Sequence, residues 1–395
     1  MHNAEAHTAA LPPVTVIAQI VGVRPGVRRV GGTERQVGLL INGYLDAGGA
    51  VTLICLRSAV PDHPLLTTYR LPIPDRPFVI AEPLFILLAT ITLALRGRGV
   101  IHSTGAIVLS RVDATTVHFC HTALASSHRG RRVSRDTPWH ALNALAAAKL
   151  SVAMEGWCYR RSRARAFVGP SDGLAAELMR FFPDISDSVR VIGNGIERAR
   201  FANVSHDVRA RARHELDLPD AAAVATFVGG DWERKGLSKA IEALTSAPAW
   251  RLVVVGDGDR RRYERFAEDL GVRQRVRFAG PRVDVERMYA AADAFVFPSD
   301  YEAAPLVTYE AAASGLPLLV SRMNGAADLV VPGLNGWFVE SAAEIGSYLN
   351  QLSSDSQLRA RMGEAARAAS ESHTQERMVA AYAALYRELN DPSRR

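Results

Sequence analysis

Two glutamates, Glu302 and Glu310, stand in the segment EAAPLVTYE with Pro305 between them. Proline lacks the N–H that the first turn of a helix leaves unpaired anyway, so Pro305 suits a helix start. Glu302 then lies in the loop before that helix, and Glu310 about a turn and a half inside it. Between them, the amides from Ala304 through Pro305 and Leu306 to Val307 mark a helix start, whose first N–H groups have no partner within the helix and can hold an anion. Carboxylates beside such a site are poorly suited to the anion itself. They are well suited to accepting hydrogen bonds from sugar hydroxyls on either side of it.

Cations for the anion follow another apolar run. Val224–Val228 leads into Gly229 and Gly230 and then into Arg234 and Lys235. This pair suits a diphosphate, because charge-assisted hydrogen bonds to phosphate are among the stronger polar contacts. Gly31 and Gly32 end the loop after Val14–Val21, where small residues let backbone N–H groups approach an anion. They do not form GxGxxG, which disfavours a dinucleotide fingerprint. Gly256-Asp257-Gly258-Asp259 follows Leu252–Val255 and reads as a tight turn on the cleft floor rather than a metal site. His118 and His121 end the run Thr115–Phe119. Side chains at a strand end alternate in direction, so the pair is not expected to converge on a metal; each is either a packed imidazole or one that touches substrate.

These residues need elements to hold them. Short apolar runs alternate with helix-length segments, the pattern of parallel sheets flanked by helices, so the fold class is α/β. Strands are expected at Val14–Val21, Val51–Leu56, Val100–His102, Thr115–Phe119, Ala166–Val168 and Val189–Ile192. A second set is expected at Val224–Val228, Leu252–Val255, Val276–Ala279, Ala294–Phe297 and Leu316–Val320. Each set reads as one doubly wound, Rossmann-like unit, and the candidate residues fall just after strands, where such sheets bind ligands. The break is placed after Asn194-Gly195, giving a first domain over 1–195 and a second over 196–372. A last helix, about 373–395, is expected to return to the first domain.

A chain of 395 residues suits two domains. The start MHNAEAHTAALPP lacks the basic and apolar stretches of a signal peptide, and Cys55, Cys120 and Cys158 suggest neither disulfides nor zinc. A cytoplasmic protein is expected. Pro83–Leu95 is too short to span a bilayer and is expected to be a buried core helix. Residues 1–200 carry 23 Lys and Arg against 14 Asp and Glu, whereas the remainder carries 24 against 27. The excess gathers at His128–Arg135 and Arg160–Arg165. Such clusters suit a solvated face as well as an anionic acceptor or the inner face of a membrane, and no basic-aromatic stacking pattern points to nucleic acid.

Taken in order, these features resemble the retaining glycosyltransferases of the GT-B fold known as family 4. Glu302 and Glu310 match its E-x7-E motif, continued by Ala311-Ala-Ala-Ser-Gly-Leu-Pro317. Gly31-Gly32, Pro170-Ser171, Val191 to Ile196 with Phe201, Lys235-Gly236, Val254 to Gly258 and Asn335-Gly336 match in order. The resemblance implies two Rossmann-like domains facing a cleft and a nucleoside diphosphate sugar as co-substrate, with neither cofactor nor metal. It implies Glu310 on the ribose, Glu302 on the transferred sugar, the amides of Ala304 to Val307 on phosphate and sugar, and Arg234 and Lys235 on the diphosphate. Gly31-Gly32 would close from the other domain, and an imidazole would reach the anomeric carbon; Cys120-His121-Thr122 resembles the loop of some members, which favours His121 over His118. The acceptor would be a hydroxyl, lipid-linked or anionic, in cell-envelope polysaccharide or glycolipid synthesis. A sugar-nucleotide epimerase and a non-catalytic sugar-nucleotide-binding scaffold are the alternatives. Gly229-Gly230 stands where members usually have Gly-Arg, and Glu302-Ala-Ala where many have Glu-Gly-Phe.

Overall fold

The computed structural model describes residues 10–22, 31–73, 78–126, 138–202 and 205–394. The basic segment His128–Arg135 lies outside the described residues.

The first half of the chain forms β1 (Val14–Ile17), β2 (Ile20–Val21), β3 (Val51–Cys55), β4 (Arg57–Ser58), β5 (Leu66–Arg70), β6 (Val100–Ser103), β7 (Ala114–Thr116), β8 (Ala166–Gly169) and β9 (Val189–Val191). Seven of these make one parallel sheet in the order β5-β3-β1-β6-β7-β8-β9, with β2 and β4 paired beside it. The second half forms β10 (Ala223–Val228), β11 (Trp250–Val255), β12 (Val276–Gly280), β13 (Ala294–Phe297), β14 (Leu318–Val320) and β15 (Gly336–Phe338). These make a second parallel sheet in the order β12-β11-β10-β13-β14-β15. Strands such as β8 and β13 are continuously apolar because helices cover both faces. In each sheet the first strand lies inside the sheet and the strand order reverses beside it, at β1/β6 and β10/β13. Ligands of doubly wound sheets sit at such switch points.

Three strands were not expected from the sequence. β4 is the two-residue polar segment Arg57–Ser58, β5 is the polar edge segment LTTYR, and β15 is only three residues long and begins with glycine, so none carries an apolar run. The strand expected at Thr115–Phe119 ends at Thr116, leaving His118 and His121 beyond it.

One apolar core fills the second unit, from Ile196 to Ala366. Two cores lie on either side of the first sheet. One of them takes in Met378, Val379, Tyr382 and Tyr386 from the helix Gln375–Asn390. Their polar ends are satisfied inside: Tyr386 Oη is 2.6 Å from His102 Nδ1, while Thr116 Oγ1 is 2.7 Å from His102 Nε2 and 2.8 Å from Tyr382 Oη. The two passages of chain between the units run side by side. The Ile196 amide donates to the His373 carbonyl, and the Gln375 amide donates to the Ile196 carbonyl, each at 3.0 Å.

The apolar stretch around Pro83–Leu95 belongs to the helix Phe78–Arg96, but only one of its faces is core. Phe85 and Ala89 are fully buried, whereas Leu87, Ile91 and Leu95 face outward. The expectation of an enclosed helix is thereby corrected: an apolar sequence all round permitted burial without requiring it. No helix among the described residues is long and apolar enough to cross a membrane.

Candidate active site

The carboxyl edge of the second sheet supplies most candidate residues. β10 is followed by Gly229 and β11 by Gly256, both with positive φ. A Cβ on Gly256 would lie 2.1 Å from the Gly229 carbonyl oxygen, so glycine is required for the two strand ends to touch. Past Gly229, Arg234 and Lys235 turn back toward the loop after β13. Arg234 donates to Glu302 Oε1 at 2.9 Å and to Asp231 at 2.7 Å, and it also holds the Tyr301 carbonyl. Lys235 Nζ lies 3.5 Å from the same Glu302 oxygen and 5.0 Å above the Phe297 ring. Arg234, Lys235 and Glu302 thus form one cluster.

Glu310 lies in the helix Leu306–Ala313, which starts after Pro305 as expected from the proline. Its carboxylate is 2% exposed, and both oxygens are engaged. Tyr289 Oη donates to one at 3.1 Å and the guanidinium of Arg35 donates to the other. Burial and the neighbouring Glu310 carboxylate together raise the Tyr289 phenol well above its ordinary range. Arg35 comes from the helix Gly32–Asp46 of the first unit, pairs with Glu197 at 3.6 Å and stacks over Phe201 at 5.6 Å. Burial pulls the Arg35 guanidinium down, but Glu310 and Glu197 outweigh it and the net shift is upward. Sequence reasoning missed Arg35. The available signal was a cation in the first turn of a helix, where the macrodipole disfavours positive charge unless a counterion lies elsewhere.

The loop joining the two glutamates is pinned by the first unit. Ser171 Oγ donates to the Ala303 carbonyl at 2.7 Å and Asn194 Nδ2 to the Ala304 carbonyl at 3.0 Å. Tyr301 Oη donates to Glu177 at 2.7 Å. Because a peptide's N–H and C=O point opposite ways, holding the Ala303 carbonyl against Ser171 turns the Ala304 amide away from it. The amides of Leu306 and Val307, in the first helical turn, find no acceptor among the described residues. Gly32 faces this helix start across the cleft: a Cβ there would lie 3.8 Å from the Leu306 side chain, and Gly31 caps its helix beside it.

The two histidines have different surroundings. The backbone amides of His121 and Thr122 donate to the buried Glu155 at 2.7 and 2.8 Å, which fixes the start of a short helix. The His121 ring lies 4.9 Å from Phe119, and Phe119 packs edge-on against Tyr301 at 5.0 Å. His121 is therefore one ring removed from the residue preceding Glu302. His118 lies toward the interior, where its charge would be felt by His102, and burial pushes it down to about 4. Burial also lowers His121, against the opposing pull of Glu155. Asp259 spends its carboxylate on a helix cap, accepting from the Arg262 amide at 3.1 Å.

Comparison with solved structures finds the same fold. The chain superposes on WaaG, a glycosyltransferase involved in lipopolysaccharide biosynthesis, with a TM-score of 0.77 at 21% identity over 94% of this chain and 98% of that one. The fold is GT-B. A second GT-B match is Anabaena HepE in complex with UDP and glucose, with a TM-score of 0.71 at 18% identity over 94% of this chain and 98% of that one. Two family models divide the GT-B chain between them. Residues 30–200 match Glycosyltransferase Family 4, and residues 208–369 match Glycosyl transferases group 1. Arg35 and both histidines fall in the first stretch, and both glutamates with Arg234 and Lys235 in the second. Among curated relatives, the lipopolysaccharide core biosynthesis glycosyltransferase LpsE of Rhizobium meliloti is 35% identical over 45% of this chain and 51% of its own. The lipopolysaccharide glucosyltransferase WaaG of Escherichia coli is 30% identical over 50% of this chain and 55% of its own. The chain thus spans about half the length of the curated relatives it matches.

Proposed function

We propose that this protein is a retaining, metal-independent glycosyltransferase of cell-envelope polysaccharide or glycolipid synthesis, moving a sugar from a nucleoside diphosphate sugar to a hydroxyl acceptor. The observation that carries this reading is the placement of Glu302 and Glu310 about a helix start whose Leu306 and Val307 amides find no acceptor among the described residues, with Arg234 and Lys235 beside it. In this reading Glu310 accepts hydrogen bonds from the ribose hydroxyls and Glu302 from the sugar. The amides of Leu306 and Val307 and the two cations take the diphosphate.

The barrier in such a transfer lies in breaking the bond between the anomeric carbon and the diphosphate oxygen. Fixed cations and helix-terminal amides stabilise the growing negative charge, and one such preorganised donor is worth about 3 kcal/mol. When Glu302 turns to a sugar hydroxyl, Arg234 and Lys235 are released toward the phosphates. The acceptor oxygen then bonds to the anomeric carbon on the face the diphosphate leaves, and a donor phosphate oxygen takes the acceptor proton. His121, on the rim beside Phe119 and Tyr301, is the imidazole assigned to the sugar. The acceptor hydroxyl is lipid-linked or belongs to an anionic molecule, met by a cytoplasmic enzyme at the inner membrane face.

Thermal-shift screening with UDP, GDP and ADP sugars identifies the donor, since a bound ligand stabilises the fold in proportion to its affinity. NMR of the product then reads the anomeric configuration. Conversion of the donor with no acceptor present identifies an epimerase instead. Binding without turnover across a donor and acceptor panel identifies a scaffold.

A further inference from the structure

The helix Phe78–Arg96 carries an apolar stripe on its outer face. Ile80, Leu84, Leu87, Ile91 and Leu95 are between 39% and 75% exposed. At about 100° per residue they fall within an arc of roughly 80°, whereas Phe85, Ala89 and Leu93 point inward. A helix on a protein surface ordinarily turns charged residues to solvent. This one turns none before its last residue, Arg96: its single acid, Glu82, is hydrogen-bonded to Gln19, close after β1.

The stripe continues onto a neighbouring surface. Thr90 Oγ1 on the helix accepts from the Leu109 amide at 3.0 Å, and the Leu109 side chain is exposed. Arg163 donates to the Leu109 carbonyl at 2.9 Å and stacks 4.1 Å above Trp157, itself 40% exposed. Arg160 lies over the same indole at 5.4 Å. At the other end, the helix finishes with Arg96, and Arg98 follows.

We infer that this stripe and the arginines beside it seat the protein on an anionic lipid bilayer, with the helix lying in the plane of the interface. Aliphatic side chains enter the acyl boundary, the indole sits at headgroup level, and guanidinium groups meet the phosphates. A second copy of the chain is a poorer occupant, because a two-fold contact through this face brings arginines against arginines. The inference rests on the membrane part of the proposed function and not on the transfer chemistry. It specifies the surface used. Glu82 and Gln19 place the beginning of the helix at the cleft side of the first sheet, so with the helix lying in the interface the mouth of the cleft lies alongside the bilayer surface, where a lipid-linked acceptor would be found.

The full chain is sedimented with vesicles of phosphatidylcholine alone and of phosphatidylcholine mixed with phosphatidylglycerol. Binding to the mixed vesicles is expected, reversed by salt. The double substitution Leu87→Ser with Ile91→Ser is expected to weaken it about tenfold, and Arg160→Ala with Arg163→Ala to weaken it and remove the preference for the anionic lipid. All four side chains lie at the surface, so unchanged thermal melts show that the variants fold. Failure of the wild type to sediment, or equal sedimentation of the serine variant, overturns the inference. So does a dimer in sedimentation velocity that the serine pair dissolves while no vesicle is bound. Hydrolysis of a soluble sugar nucleotide without vesicles is expected to be the same in the serine variant and the wild type, so a failure of docking and a failure of the transferase reading are seen separately.

Discussion

Arg35 of the first unit is ion-paired across the cleft with the buried carboxylate of Glu310 in the second. The group assigned to the donor ribose is therefore occupied by an arginine and a tyrosine in this structure. A ribose hydroxyl entering this site exchanges with one of them, which couples nucleotide binding to the contact between the two halves of the molecule.

Removing the arginine leaves a buried carboxylate without its counterion, which typically costs 3–5 kcal/mol. Arg35→Ala should lower the melting temperature by roughly 6–20 °C, at about 2–4 °C per kcal/mol for a chain above 150 residues. Nucleotide should restore more of the loss than it adds to the wild type. Differential scanning fluorimetry with and without UDP measures both, and equal ligand-induced shifts in the two proteins would refute the exchange.

Glu310→Ala should weaken nucleotide binding at least tenfold, since hydrogen bonds to a charged group contribute about 1.5–3 kcal/mol. Isothermal titration calorimetry decides this. Affinity equal to the wild type would exclude a ribose contact.

Substituting both Arg234→Ala and Lys235→Ala should act mainly on turnover. Loss of one preorganised donor to developing charge costs about a hundredfold or more in kcat. A rise in KM with kcat unchanged would show that these cations hold the ground state only. A chelator such as EDTA should leave transfer by the wild type unaffected, and an absolute requirement for Mg²⁺ would count against the mechanism.

Acid should destabilise the fold through the buried His102 and the half-buried His118. Burial lowers His102 to about 3 and His118 to about 4, so both stay neutral in the folded state while their unfolded counterparts protonate near 6.5. The unfolded state then binds more protons between those limits. The stability they contribute is complete above about pH 6.5 and is lost as pH falls toward 4. Melting temperatures recorded across this interval should fall, and less steeply for His118→Gln.

The apolar runs made the two parallel sheets legible, because buried strands such as β8 and β13 are apolar throughout. β5 and β15 lie at sheet edges, where burial no longer dictates sequence. The glutamate pair could be read from spacing and one proline. Its partner Arg35 could not: it is 275 residues distant, and only the facing of two domains brings them together. Glu155 was equally hidden, since a mid-helix acid that caps another helix has no local signature. The outward stripe of Phe78–Arg96 escaped notice because hydrophobicity records what a side chain prefers and not where it lies.

The helix Gln375–Asn390 supplies Met378, Val379, Tyr382 and Tyr386 to the core of the first sheet, and two of these tyrosines complete the hydrogen bonding around His102 and Thr116. On a ribosome, the first sheet emerges long before that helix does. The half of the molecule that is translated first must wait with an open apolar seat while the other half is made, so the order of synthesis and the order of completion are reversed. A stop codon ahead of Gln375 would therefore injure the unit encoded at the opposite end of the message.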